Sequence, residues 1–529
     1  MPSLFKRLAA VIALVSLVTL TGCTSKAPET KPAAPAPAPA APTGPVKGGT
    51  LVIGQSADVL TLDPALTTDE ASRPVQSLLF NSLVKYNDKM EILPDLAESY
   101  NIQDNGLTYI FKLRKGVKFH NGDALKASDV KFSIERMSDP VLKSRWASFF
   151  TDVKEVKAVD DTTIQLTLAK PNAAFINAVA SYMFIQQESF VKANPSLQRI
   201  ENGTGPFKFK EWVPNSSITV TRFADGFEQD KVFIDNVTFK VMPEVASRLA
   251  ALRTGEVQFL EFLEPQFGPQ LEQMKTAGNI DFTKVFSNMY HMFGFNTKRA
   301  PFDNAKVRQA IQYAVDRDTL LKTAALGQGA VVGILTPALG NWVLPVDKYP
   351  EYKRDVAKAK ALLKEAGYEK GFEFKIMAPS NYPVDLNSAI ALAEQLKEVG
   401  ITAVVDKTEW GTYVDNWVKR NFDTFVGNNG NGTDPDLAMY AALSTGGSTN
   451  AFQYSDKEID DLLAKGRISA DPAARKQVYD TIQQKLVEKG PMVYTFATYA
   501  YYAYSPKLQG YKGQVVSPFR NIAYAWIKN

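Results

Sequence analysis

Residues 372–427 read "FEFKIMAPSNYPVDLNSAIALAEQLKEVGITAVVDKTEWGTYVDNWVKRNFDTFVG". Three short apolar runs, "FEFKIMA", "ITAVVD" and "FDTFVG", alternate with two longer ones, "LNSAIALAEQLKEVG" and "TYVDNWVKR". The short runs have the length of strands and the long ones the length of helices, the first helix ending at Gly400. A strand–helix–strand–helix–strand succession implies parallel strands with right-handed crossovers, so an α/β fold is expected. Ligands bind such open sheets beyond the carboxyl ends of the strands. The loop that leaves the third strand, "GNNGNGTDPD" at 427–436, is therefore a ligand-site candidate by position. The alternative is a plain turn into the next helix.

Outward from this unit the pattern continues. Val307, Ala310, Ile311, Ala314 and Val315 follow helical spacing, as do Val356, Ala359, Leu362, Leu363 and Ala366, the latter stopping at Gly367. Toward the N-terminus, "GTLVIGQ", "LTYIFKLRKGVKF" and "DTTIQLTLAK" read as strands, and "SITVTRF" with "DNVTFKVM" as an antiparallel pair. Gly327, Gly329 and Gly333 miss the dinucleotide-binding spacing and follow a helix, so they read as a flexible connector. In "YTFATYAYYAYSP" most aromatic rings read as core, with some expected to line a cleft.

At 529 residues the chain exceeds one hydrophobic core, so two or three domains are expected. A formal charge of +4 is too small for a nucleic-acid partner, which needs a concentrated basic face. The first residues carry Lys6 and Arg7, an apolar run from Leu8 to Leu20, and then "LTGC". The run is too short to span a bilayer and has the layout of an export signal. It ends in a segment that resembles a bacterial lipobox, with Cys23, the sole cysteine, as the expected lipidation site. The Pro/Ala-rich stretch after it reads as a semi-rigid tether. The expected layout is a signal peptide at 1–22, a lipidated Cys and tether at 23–47, and a folded body from about Gly48.

Chemistry of other kinds is scarce. There are two histidines, no zinc-type spacing, no nucleophile elbow and no phosphate loop. Calcium loops need several carboxylates at alternate positions, and "GNNGNGTDPD" offers only Asp434 and Asp436. No metal or cofactor is expected. No pair of acids is singled out for hydrolysis.

Five ordered blocks carry a family likeness: "LTYIFKLRKGVKFHNGDALKASDVKFSIER" (107–136), "NGTGPFKFKEW" (202–212), "PFDNAKVRQAIQYAVDRDTLL" (301–321), "DPD" (434–436) and "EIDDLLAKGR" (458–467). Together they resemble the family 5 extracellular solute-binding proteins, the oligopeptide, dipeptide and nickel receptors of ABC importers. The resemblance implies a periplasmic-binding-protein-like fold whose two lobes close on a cleft, in the three-domain variant with an extra domain II. Domain I would comprise 48–80, 200–299 and 495–529, domain II 81–199 and domain III 300–494. It also implies a non-enzymatic monomer that captures a solute, an oligopeptide foremost, and delivers it to membrane permease subunits. An uncharged ligand such as an oligosaccharide is the second reading and an exported hydrolase the third.

Peptide-binding members place an Asp four residues before the loop proline to pair with the ligand's ammonium group. That position is Asn431 here, and the earlier loop "APSNYPVD" (378–385) has no basic residue for a ligand carboxylate. The candidate ligand contacts are therefore Asn431, Asn429, Asp434, Ser380, Asn381 and Trp410, with Asn431 expected to face the ligand. The expected location is the cell envelope, exported and lipid-anchored.

Overall fold

The computed structural model describes residues 44–66, 71–194, 196–469, 471–516 and 518–528. The signal, Cys23 and the tether as far as residue 43 lie outside the described residues.

The unit at 373–430 forms as its sequence periodicity requires. Strands Glu373–Pro379, Thr402–Thr408 and Thr424–Gly430 are joined by helices Pro383–Lys397 and Trp410–Lys419, and the first strand runs parallel to both others. Pro383 opens the first helix, where its missing N–H costs nothing, and Gly400 beyond its end takes a positive φ of 82°. Two antiparallel strands, Met289–Phe295 and Met492–Tyr494, complete a five-stranded sheet. Phe293, Ile376 and Val426 are buried on it beneath Ile311, Leu392 and Leu396 of the flanking helices.

A second, eight-stranded sheet gathers distant parts of the chain. Thr50–Gln55 is parallel to Asn236–Val241 and to Phe259–Leu260, and Ser217–Arg222 pairs antiparallel with Asn236–Val241 as expected. The long strand Phe496–Tyr504 pairs with Asp281–Phe286 through its residues 499–504. A third, four-stranded antiparallel sheet contains Thr108–Leu113 and Thr163–Leu168. Its buried face carries Tyr109, Phe111, Ile164 and Leu166.

The "NGTGPF" block owes its glycines to a close approach. Gly203 and Gly205 lie against the end of helix Ser72–Leu79, where an added Cβ would overlap the backbone carbonyls of Leu78 and Leu79. Gly205 N–H donates to Leu79 O at 2.9 Å. His120 is tied to the same block: its Nδ1 lies 2.8 Å from Glu201 Oε2 and its Nε2 3.1 Å from Gly205 O.

Three sequence expectations change. The third strand of the parallel unit continues through Gly430, so only 431–434 is loop before helix Pro435–Leu443. Its pairing with Met289–Phe295 runs to Met289↔Gly430, and that ladder holds "GNNG" extended. The glycine connector is not flexible: Gly329–Val331 is a strand on Phe496–Tyr504, packed so closely that a Cβ on Gly329 would strike Ala497 O. Residues 289–295, inside the segment expected for domain I, pair instead with the five-stranded sheet.

Candidate functional site

Parallel strands of one sheet end at the same edge, and here two such edges meet. Ser56 follows Thr50–Gln55 and Glu261 follows Phe259–Leu260, while Gly432 and Thr433 follow Thr424–Gly430 of the other sheet. All four line one cavity of about 440 Å³. It therefore occupies the position at which open α/β sheets bind ligands.

Its walls combine rings and charges. Trp146 stacks on Tyr182 with centroids 4.4 Å apart, and Arg73 lies over Trp146 at 5.1 Å while donating from Nη2 to Ser181 O at 2.8 Å. Tyr502 and Phe519 come from the C-terminal segment. Burial raises the Tyr182 phenol above its ordinary range, so the hydroxyl stays protonated. The charged lining residues are Arg73, Arg248, Glu261 and Glu264. Arg248 Nη1 donates to the carbonyls of Met242 and Pro243, both at 2.8 Å. Ser56 N–H donates to Glu261 Oε1. Glu264 Oε2 is buried and has no hydrogen-bond partner among the described residues. The two glutamates carry no local signal, because the strand in "VQFLEFLEP" (257–265) is only Phe259–Leu260 long. Arg73 and Arg248 sit on helices whose contacts only the tertiary fold reveals.

A second cavity, of about 960 Å³, lies on the other side of the same loop and is lined by Asn429, Gly430, Asp436 and Arg467. Size favours the second cavity. Position favours the first, because strand ends of both sheets converge there; the second also carries aromatic rings and both signs of charge, Phe175, Tyr440, Lys170 and Asp436 among them. Between them the loop is pinned to helix Phe175–Tyr182. Asn177 Nδ2 donates to Asp434 Oδ2 at 3.0 Å, and the Ser181 and Thr433 hydroxyls are 3.2 Å apart.

The expected site residues separate into three groups. Asn431 is fully buried at 0% exposure and does not face the cavity. Its Nδ2 donates to Ile334 O at 2.6 Å and its Oδ1 accepts from Thr336 N at 2.9 Å. The amide is used up because it matches one carbonyl and one N–H of the segment packed over it. Asp434 is also committed, to Arg475 and to the N-terminus of its own helix, where it accepts from Asp436 N at 2.8 Å. Asn429 borders the second cavity. Ser380, Asn381 and Trp410 sit together at the ends of Glu373–Pro379 and Thr402–Thr408, outside the lining of both cavities. Trp410, 41% exposed, packs there on Tyr382 and Tyr413 at 4.8 and 5.5 Å. Among the described residues no group of three His, Cys, Asp or Glu could hold a metal. His291 Nδ1 lies 2.7 Å from Asp385 Oδ1.

Asn431→Asp is expected to lower stability by about 1–3 kcal/mol, because a carboxylate cannot donate to Ile334 O and would face it as a like partial charge. Urea unfolding of the ligand-free protein measures this. An unchanged midpoint would show that the amide's two hydrogen bonds contribute nothing.

The family of bacterial extracellular solute-binding proteins, family 5 Middle, matches residues 91–450. The chain belongs to that family. The glutathione-binding protein GsiB of Escherichia coli K12 is 28% identical over 474 residues, covering 87% of this chain and 91% of GsiB. The ABC transporter substrate-binding protein CtaP of Listeria monocytogenes superimposes with a TM-score of 0.81 at 25% identity, covering 91% of this chain and all 100% of CtaP. DppA of Helicobacter pylori, solved with the peptide STSA, gives 0.73 at 27% identity over 92% of this chain and 99% of DppA.

Proposed function

We propose that this protein is the receptor of an ABC importer and that it captures a peptide in the 440 Å³ cavity. The observation that carries the reading is the lining itself. Two arginines and two glutamates share the cavity with Trp146, Tyr182, Tyr502 and Phe519. A peptide offers both charges, apolar side chains and backbone amides, and such a wall complements all of them. The relatives support it: GsiB is named for glutathione and DppA was solved with a tetrapeptide. An oligosaccharide brings no charge to complement these four groups, so the neutral-ligand reading fits this wall less well.

In this reading Cys23 carries the lipid anchor and the tether holds a monomeric body near the membrane permease. Segments 48–80, 200–288 and 495–529 form one domain and 81–199 a second; the boundary expected at 299/300 moves back so that 289–494 is the third, taking Met289–Phe295 into its sheet. The two lobes swing together on the ligand. The protein does no chemistry on what it binds.

Ligand released by denaturing the purified protein and weighed by mass spectrometry tests the proposal. Peptides of a few residues are expected, and adding them back to refolded protein should return them intact. Recovery of a sugar, or of cleaved peptide, would overturn the reading.

A further inference from the structure

A peptide carries an amino group, and the loop at 431–436 offers it no free carboxylate. Asn431 is neutral and spent, Asp434 is neutralised by Arg475, and Asp436 borders the other cavity beside Arg467. We propose that Glu264 takes that role: its carboxylate is the anchor for a protonated amine of the bound solute. The inference rests on the peptide reading and assigns its polarity.

Glu264 follows the bridge between Leu263 and Tyr501, whose backbones exchange hydrogen bonds of 2.9 and 3.2 Å. It stands at the start of the short turn Pro265–Phe267 but does not cap it. Pro265 has no N–H to give, and the Glu264 side chain lines the cavity instead. The strand Phe496–Tyr504 thus fixes where the carboxylate stands. Glu264 is partly buried, and its Oε2 is shielded from water without a donor among the described residues. A shielded acceptor without a donor is costly until one arrives. An ammonium group brings three donors and a compensating charge. Glu261, the other acid in the wall, already accepts from Ser56 N–H and stands one turn of chain away.

The test compares an equimolar tetrapeptide mixture bearing free N-termini with the same mixture N-acetylated, by native mass spectrometry and calorimetry. Wild-type protein is expected to hold the free mixture about 10- to 100-fold more tightly, the scale of a hydrogen bond to a charged group. In Glu264→Gln the preference should fall below about threefold, and Glu264→Asp should restore part of it. Circular dichroism should show Glu264→Gln folded, since the change removes an unpaired charge. Equal binding of both mixtures by wild type, or an undiminished preference in Glu264→Gln, overturns the assignment while leaving the peptide reading intact. Binding of neither mixture by wild type overturns the peptide reading, and the assignment with it.

Discussion

Replacing Arg475 with Met is expected to cost about 3–5 kcal/mol of stability, the largest single loss among these variants. The guanidinium meets Asp434 through two parallel bonds, Nη1 to Oδ2 at 2.7 Å and Nη2 to Oδ1 at 2.5 Å. Its Nε donates to Gly466 O at 2.9 Å, and its plane lies 5.0 Å from the Trp342 ring and 5.1 Å from the Tyr479 ring. Both charged side chains are almost entirely buried, at 6% and 3% exposure. Burial alone would lower the Arg475 pKa. The charge and hydrogen bonds of Asp434 outweigh it, and the value is raised. Met fills the slot between the rings without a charge. Asp434 would then keep only Asn177 Nδ2 and the amide of Asp436, too few donors for a carboxylate out of water.

The measurement is the urea midpoint at constant slope. The double variant Asp434→Asn with Arg475→Met should recover most of the loss, because the penalty is the stranded charge rather than the lost pair. If the single and double variants unfold together, the pair is not what holds this corner. The loss also bears on the site. Asp434 links the helix Pro472–Lys489 through Arg475 to the helix Phe175–Tyr182 through Asn177, and Thr433 beside it lines the cavity.

The parallel unit was legible because its signals are local. Apolar period, Pro383 and Gly400 each specify their own few residues, and the strands formed where those signals lay. Topology alone pointed to the carboxyl ends of the strands, and a cavity opens there. The contacts within it were not legible. Asn431 reads as an exposed loop amide, yet residues 334–336, almost a hundred positions away, cover it with one carbonyl and one N–H. No local pattern announces that partner. The glycines at 327–333 failed for the same reason: Gly329 is small because Phe496–Tyr504 runs beside it, not because the chain bends there. Glu264 was invisible because its meaning depends on what does not approach it.

Stability should fall as pH rises from about 4 to about 6, and Asp436→Asn should remove that fall. Asp436 is 1% exposed, on the first turn of the helix Pro435–Leu443. Burial pushes its carboxyl up from 3.8 to about 6; the Asp434 charge adds to the rise, while Arg467 and Arg475 oppose it. The arginine help is incomplete because Arg467 Nε is 3.3 Å from Oδ2 without hydrogen-bond geometry, and Tyr479 OH reaches Oδ1 only at 3.4 Å. Below pH 4 the group is protonated whether folded or unfolded, and it costs nothing. Between the two values the unfolded chain has released the proton and the folded one still holds it, so each step up in pH favours unfolding. Above about pH 6 the folded group ionises too and the loss levels off. A rise from 3.8 to about 6 corresponds to at most about 3 kcal/mol. Asparagine keeps the shape and cannot ionise, so Asp436→Asn should be more stable than wild type by up to that amount at pH 7.5 and nearly equal to it at pH 4. The comparison must be variant against wild type at each pH. Glu228, where burial is outweighed by Arg520 and Lys85 so that its pKa drops from 4.5 to about 2, contributes stability that is lost in the opposite direction, as pH falls. Guanidinium unfolding at half-unit steps from pH 4 to 8 gives both curves. Parallel curves would mean that Arg467 closes on Asp436 in solution and that the carboxylate is paired after all.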